Sequence, residues 1–377
     1  MSKKIVLIEN FGFDFYSARL SYSKYLISLG YKVYALVPDD DYANKIEMEG
    51  IEVLKYNFCR KNKGVIQLYN LSVFYNKIFN HHNIDIVHSY RFQPNLLNAI
   101  SNIFSKRKVI LHVTGLGLAF SNNDFKFYIL RILSQFIFLL KFILSDIIIF
   151  QNSDDPKDLW FSSFAKSKIK IVEGSGVDTI NFTRDNIKRQ TVRDGLKINN
   201  NEFIFICTTR LLWEKGIREM VTAFEYLKLS NVVLLIIGWS DTDNPRHVSE
   251  CFISKYANRR DIQFLGKRSD VKLLLNASDV FLYPSYYREG VPRSILEALS
   301  MGMPIITTDM PGCNLTVKEG YNGFIVDKKS VTSIMEVVKK VLTVTNLSEL
   351  GFNSRVIAEN KFSRNIIFEK IQILYKI

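Results

Sequence analysis

Two carboxylates, Glu289 and Glu297, stand eight residues apart in YPSYYREGVPRSILEALSMGMPIITTDMPGC, residues 283–313. Eight helical steps would separate them by roughly 12 Å. That exceeds the roughly 5–9.5 Å at which a carboxylate pair hydrolyses a glycoside. It suits instead a ligand with two polyol ends and a charged middle. The backbone N–H groups near Val291 to Ser294 follow Gly290 and sit where Pro292 opens a helix, so they can hold the anion. A plainer reading stays open, with one exposed Glu on a helix and one loop salt bridge.

A second constellation, Arg210 and Lys215 in TRLLWEKG, follows the apolar run Phe203–Thr208. Across a strand-to-helix turn they can clamp a diphosphate, arginine as a planar fork and lysine as a point charge. An ordinary surface pair is the alternative. Asp241 and Asp243 form a D-x-D pattern, as do Asp39 to Asp41. Such patterns hold divalent metals in some sugar-transferring enzymes, but they are short and arise by chance in polar loops. The cationic clamp already neutralises the charge a metal would, so no metal and no cofactor is expected.

The elements that position these residues alternate between strand and helix. Lys4–Glu9 reads as a buried strand, Phe11–Tyr16 as an aromatic loop, Ser17–Leu29 as a helix and Tyr31–Val37 as a strand. Further strands are expected at 84–89, 108–113, 147–150, 203–208, 232–237 and 304–308. Repeated strand–helix units imply parallel sheets in an α/β fold. With 377 residues two domains are expected. The boundary falls near residue 175, and Thr183–Asn201 reads as a polar excursion. The first domain spans 1–175 and the second 176–360, and 361–377 is an amphipathic docking helix. Segment 125–150 is the most apolar. Arg131, Gln135, Lys141 and Asp146 interrupt it, so it reads as a core helix to about Leu144, part of which can dip into lipid headgroups.

Charge is uneven along the chain. The net charge is +13, and residues 55–141 hold twelve Lys or Arg against only Asp85 and Asp124, with four of the five histidines. No nucleic-acid-binding signature accompanies this charge. A face meeting an anionic membrane fits better, with an ordinary basic surface as the alternative. The four cysteines lack metal-site or disulfide spacing and read as buried thiols in a reducing compartment. The start, MSKKIVLIEN, lacks a signal peptide's apolar core, so a cytoplasmic protein, peripheral at the inner membrane face, is expected.

EGVPRSILEALSMGMPIITTD resembles the E-x7-E region of the retaining glycosyltransferases of family 4, which have the GT-B fold of two Rossmann-like domains facing a cleft. YYREGVPRS, TTDMPGC and EGYNGFIV resemble a subgroup that extends undecaprenyl-diphosphate-linked saccharides. The resemblance implies a UDP-sugar donor, with an N-acetylhexosamine as the sugar, and a polyprenyl-diphosphate-linked saccharide as acceptor. It assigns Arg210 and Lys215 to the donor diphosphate, Glu297 to ribose hydroxyls, and Glu289 to the donor sugar. Gly238, Gly290, Val291 and Pro292 line the donor site, with the base near SDTDNP and FLGKRSD. Arg19 would face the acceptor. Many family members carry a histidine in a V-H-G phrase, whereas this chain reads HVTGLG. His112, Thr114 and Gly115 are thus candidates for the acceptor side, with His112 and Thr114 on one strand face. A sugar-nucleotide epimerase of similar shape and a non-catalytic nucleotide-sugar-binding protein remain the alternatives.

Overall fold

A computed structural model describes residues 2–57, 64–122 and 124–376. Cys59, Arg60, Lys61 and Lys63 lie outside these residues. The chain divides into two compact units, Met1–Glu173 with Ile367–Ile377, and Gly174–Ile366. The sequence reading set these breaks at 175 and 361.

The first unit is built on β1 Lys4–Ile8, β2 Lys32–Pro38, β3 Glu52–Tyr56, β4 Ile86–Tyr90, β5 Lys108–Val113, β6 Ile147–Phe150 and β7 Ile169–Ile171. They form one parallel sheet in the order β3-β2-β1-β4-β5-β6-β7. IIIF is apolar throughout, and KIVLI is apolar after its leading Lys4, because both sheet faces are covered. The helix Arg364–Leu374 places Ile367, Phe368, Ile371 and Leu374 in the same core as Ile5, Leu7 and Val33.

The second unit holds β8 Phe203–Thr208, β9 Val232–Ile237, β10 Ile262–Phe264, β11 Val280–Tyr283, β12 Ile305–Thr308 and β13 Gly323–Val326. Its parallel sheet runs β10-β9-β8-β11-β12-β13. Strand order reverses between β1 and β4 in one sheet and between β8 and β11 in the other. At such reversals neighbouring loops diverge and leave a crevice outside the strands' carboxyl ends. Glu9 and Arg91 follow β1 and β4. Arg210 and Glu289 follow β8 and β11.

Several expectations change. Phe11–Tyr16 is not a loop, and the helix expected from Ser17 to Leu29 is two helices, Gly12–Ala18 and Leu20–Ser28. Asp40 accepts from the Gly12 N–H (3.1 Å) and so seats the first helix early. The break falls at Arg19, which turns inward to Glu9. Thr183–Asn201 is no excursion, since it contains the helix Asn186–Gly195. Arg189 and Arg193 tie that helix to Asp279 (2.5 and 2.9 Å). Cys207 and Cys313 are buried, and burial raises both thiols to about 12, but Cys251 is exposed. His88 and His112 are buried and belong to no surface. Arg107 donates to Asn76, Asn80 and Asn102, and Lys108 to the Leu374 carbonyl, so both are structural.

The helix Phe125–Leu144 departs furthest from expectation. Only Gln135, Phe138, Lys141 and Phe142 are buried along it. Phe125, Tyr128, Ile129, Leu130, Leu133, Phe136, Leu140 and Ile143 are exposed. An apolar sequence with polar residues on the packed side cannot be read for its orientation, because hydrophobicity alone would bury the other face.

Candidate active site

In the second unit β8 ends at Thr208 and the chain turns through Arg210 into a short 3-10 turn, Trp213–Lys215. Glu214 is buried and anchors this turn, accepting from Arg246 (2.5 Å) through its carboxylate and from the Tyr286 N–H (2.8 Å) through its carbonyl. Lys215 is thereby turned under β11. Its ammonium lies 2.5 Å from Glu289 Oε1 and donates to the Tyr283 hydroxyl at 3.0 Å. Tyr283 donates in turn to the same Glu289 oxygen (2.7 Å), as does Ser285 (3.2 Å). The Lys215 charge also lies 4.8 Å from the Tyr287 ring centroid.

The electrostatics follow from this packing. Burial lowers the Lys215 pKa, and the Glu289 carboxylate raises it part of the way back. Burial and Glu289 hold the Tyr283 phenol well above its ordinary range, so it remains a donor. An ammonium has three N–H donors. Two are engaged by Tyr283 and Glu289, which leaves one for an anion. Arg210 lies 3.7 Å from Asp241 and is about one-third exposed. Asp241, from one D-x-D pattern, thus has a cation as its neighbour.

The loop between Glu289 and the next helix is held by backbone packing. Gly312 has φ +85°, and a Cβ there would come within 1.4 Å of the Gly290 carbonyl oxygen. Val291 is buried in the core, and Pro292 is the N-cap of Arg293–Ser300 rather than its first residue. The Pro292 carbonyl accepts from the Ile295 and Leu296 N–H groups, so the helix's leading amides lie outside its ladder. Glu289 therefore belongs to a loop, and its distance from Glu297 is not eight helical steps. Glu297 sits 3.5 Å from Arg293. Burial raises its pKa, opposed by Arg293 and Arg364. Gly238 closes on the Thr209 carbonyl, which a Cβ would meet at 1.7 Å, and its N–H donates to Gly266 (2.9 Å). That contact joins the SDTDNP and FLGKRSD loops, with Lys267 5.6 Å from the Trp239 ring centroid.

The first unit gathers its own charges at the β1/β4 reversal. Glu9 is buried. Arg19 donates to it at 3.1 Å and Arg91 lies 3.4 Å away, while Arg91 also pairs with Asp14 (2.6 Å). Burial raises the Glu9 pKa, and Arg91 and Arg19 oppose the rise. Arg19 is itself buried, 3.6 Å from the Tyr90 ring centroid. It positions Glu9 and presents little surface to an acceptor. His112 stacks on His88 (5.6 Å between centroids) and reaches Gln151. It is fully buried, whereas Thr114 and Gly115 are partly exposed in the loop after β5.

Sequence reasoning missed Tyr283, Ser285 and Arg91. Tyr283 and Ser285 close and follow a strand beside the sheet reversal, a signal usable only once strand order is known. Arg91 has φ +74° and ψ 176°, a region otherwise left to glycine. One-dimensional patterning carries no trace of that.

Comparison with known proteins adds a family. The profile described as "Glycosyl transferases group 1" matches residues 188–350. The N,N'-diacetylbacillosaminyl-diphospho-undecaprenol alpha-1,3-N-acetylgalactosaminyltransferase of Campylobacter jejuni is 25% identical, covering 99% of this chain and 98% of its own. The capsular polysaccharide biosynthesis glycosyltransferase CapM of Staphylococcus aureus is 30% identical, over 77% of this chain and 76% of its own. Among solved structures, Anabaena HepE in complex with UDP and glucose superposes with a TM-score of 0.83 at 17% identity, covering 100% of both chains. The two parallel-sheet units are thus those of a GT-B fold, and the chain belongs to the group 1 glycosyltransferases.

Proposed function

We propose that this glycosyltransferase moves a sugar, an N-acetylhexosamine, from UDP to a saccharide carried on polyprenyl diphosphate, with retention of configuration. The reaction would serve bacterial surface polysaccharide synthesis at the cytoplasmic face of the membrane. The observation carrying the donor half is the buried Lys215 ammonium, fixed between Glu289 and Tyr283 with one N–H to spare, at the same sheet reversal as Arg210. As the glycosidic bond to UDP breaks, negative charge grows on the diphosphate, and preorganised cations there lower the barrier. Glu289 holds Lys215 and is assigned to donor-sugar hydroxyls, aligning the anomeric carbon. Glu297 is assigned to the ribose.

The acceptor half is supported by relatives. The C. jejuni enzyme and an Escherichia coli galactosyltransferase, 27% identical over 83% of this chain, are both named for undecaprenyl-diphosphate-linked acceptors. Transfer is expected to need no metal, since cations already face the diphosphate and Asp241 pairs with Arg210. The test is an assay of the purified protein with UDP-N-acetylhexosamines and a synthetic prenyl-diphosphate saccharide, with and without EDTA. Transfer in EDTA, giving a product with the donor's anomeric configuration, is the expected result. Activity restored only by Mn²⁺ would remove the cationic-clamp account, and no transfer to any lipid-diphosphate saccharide would remove the acceptor assignment.

A further inference from the structure

The helix Phe125–Leu144 is long and apolar enough to cross a membrane by length and composition, yet its contacts fix it along the first unit. Gln135 donates to the Asp158 carbonyl (2.9 Å) and accepts from the Trp160 N–H (3.0 Å). Lys168 caps the last turn through the Phe142 and Ile143 carbonyls (2.9 and 3.2 Å). Arg131 donates to the Ala119 and Asn122 carbonyls (3.2 and 2.9 Å). Arg131 and Gln135 thus face the protein, as does Lys141. Lys141 is buried entirely, its Nζ 3.6 Å from the Phe92 ring centroid, and burial lowers its pKa.

The outward side is the reverse of a soluble helix. Ile129, Leu133, Phe136 and Leu140 form one stripe at helical spacing, each between 44% and 54% exposed, with Phe125 and Tyr128 ahead of it and Ile143 behind. Trp160 and Phe164 are also exposed and belong to the segment packed against this helix. Exposed Lys126 and Lys166 lie on the helix and on that segment, and residues 125–144 carry no acid. Phe138 packs on Phe150, the last residue of β6 (6.5 Å between centroids). The roughly 13 residues before it, about 20 Å of helix, therefore run past the carboxyl edge of the sheet. There Arg131 binds the short helix Leu118–Ser121 and its C-cap Asn122, which follow Thr114 and Gly115.

We infer that this face is a membrane-docking surface that lies in the headgroup–hydrocarbon boundary of an anionic bilayer. Apolar side chains enter the boundary, Trp160 sits at its level, and the lysines meet lipid phosphates. A continuous apolar stripe flanked by cations matches that medium, whereas a helix inserted across it would have to abandon the Gln135, Arg131 and Lys168 bonds. The position beside the loop after β5 would bring a lipid-borne acceptor to the site from the membrane plane. This last step rests on the acceptor proposed above, while docking itself does not.

The test compares the full chain with an Ile129→Gln, Leu133→Gln, Phe136→Gln variant. Flotation with phosphatidylcholine vesicles containing phosphatidylglycerol should recover the native protein, and the variant's partition should fall about tenfold or more. Lys126→Glu with Lys166→Glu should weaken binding chiefly at low salt. UDP affinity, read by calorimetry, and transfer to a short-chain, water-soluble prenyl-diphosphate acceptor should stay at native levels in both variants. Transfer to long-chain acceptor in vesicles should fall with binding. Equal flotation of native and triple-variant protein would overturn the proposal. So would a native protein that ignores vesicles but self-associates through this stripe, seen as a mass that falls in the variant. If short-chain acceptor is also refused by the native enzyme, the acceptor assignment fails, and the flotation result stands separately.

Discussion

A lysine buried without a counter-charge gives up its proton, and Lys215 is held against that by Glu289. The pair makes the two residues' roles inseparable in a simple truncation. Arg210→Ala and Lys215→Ala should each weaken UDP binding by ~1.5–3 kcal/mol, the range for a charge-assisted bond, as calorimetry would show. Unchanged affinity in both would take them out of the donor site. Glu289→Ala should cost UDP affinity as well as turnover, because it strands the Lys215 ammonium. Glu289→Gln keeps an acceptor for Tyr283 and Lys215 but removes the counter-charge that holds the Lys215 proton, so UDP affinity should fall less than in the alanine variant, while kcat falls about a hundredfold or more. Equal losses of affinity and turnover in the Gln variant would mean the carboxylate acts on the nucleotide alone. Glu297→Ala, at the ribose assignment, should weaken UDP and UDP-sugar alike. Arg210 and Lys215 were legible as cations following an apolar run, whereas the helical spacing read between Glu289 and Glu297 does not hold, because Glu289 lies in the loop before the helix. Tyr283 was not legible, because a tyrosine ending a buried strand looks the same in a list whether it packs or donates.

At the scale of elements, the loop from Glu289 to Pro292 is shaped from behind by the turn at Gly312. Alanine there would both strain a φ of +85° and drive a methyl into the Gly290 carbonyl, and such backbone overlap has no flexible side chain to absorb it. Gly312→Ala should lower kcat/KM for the UDP-sugar about tenfold or more, through displaced Glu289, while the far-ultraviolet circular dichroism stays native. Native kinetics would show that the loop tolerates a shift. Strands were the most readable elements, since apolar runs buried on both faces announce themselves. Helix ends near charges were less so. Arg19 splits a helix because its guanidinium is drawn to Glu9, a tertiary pull absent from local propensity. The helix Phe125–Leu144 shows the same limit for orientation. Its periodic polar residues marked a face, and only packing revealed that this face points inward.

At the scale of the whole chain, the first unit is completed by residues from the far end of the sequence. Tyr375, just past the last helix, comes within 2.6 Å of His88 Nδ1, and His88 of β4 stacks on His112 of the neighbouring β5. Terminal amphipathicity implied a docking helix, but its histidine partner depends on a contact across 287 residues. Burial, with Arg19 and for His112 also His88 nearby, holds both histidines well below their usual 6.5. Their native forms are therefore neutral while the unfolded chain gains protons near pH 6.5. The stability they contribute is complete above about 6.5 and is lost as pH falls from there toward the native pKa values. Each histidine should cost about 1.4 kcal/mol per pH unit in that window, so the pair should approach about 2.7. Glu9 works in the opposite sense, since its raised pKa makes the native state the better proton acceptor at the acid end. The clearest window is accordingly pH 6.5 down to about 5.5. Urea unfolding at pH 7.5 and 5.5, followed by a probe in the first unit, should show the loss, and His112→Asn should remove about half of it. Urea midpoints that match at the two pH values would mean the buried histidines are charged, or the cluster open, in the native protein.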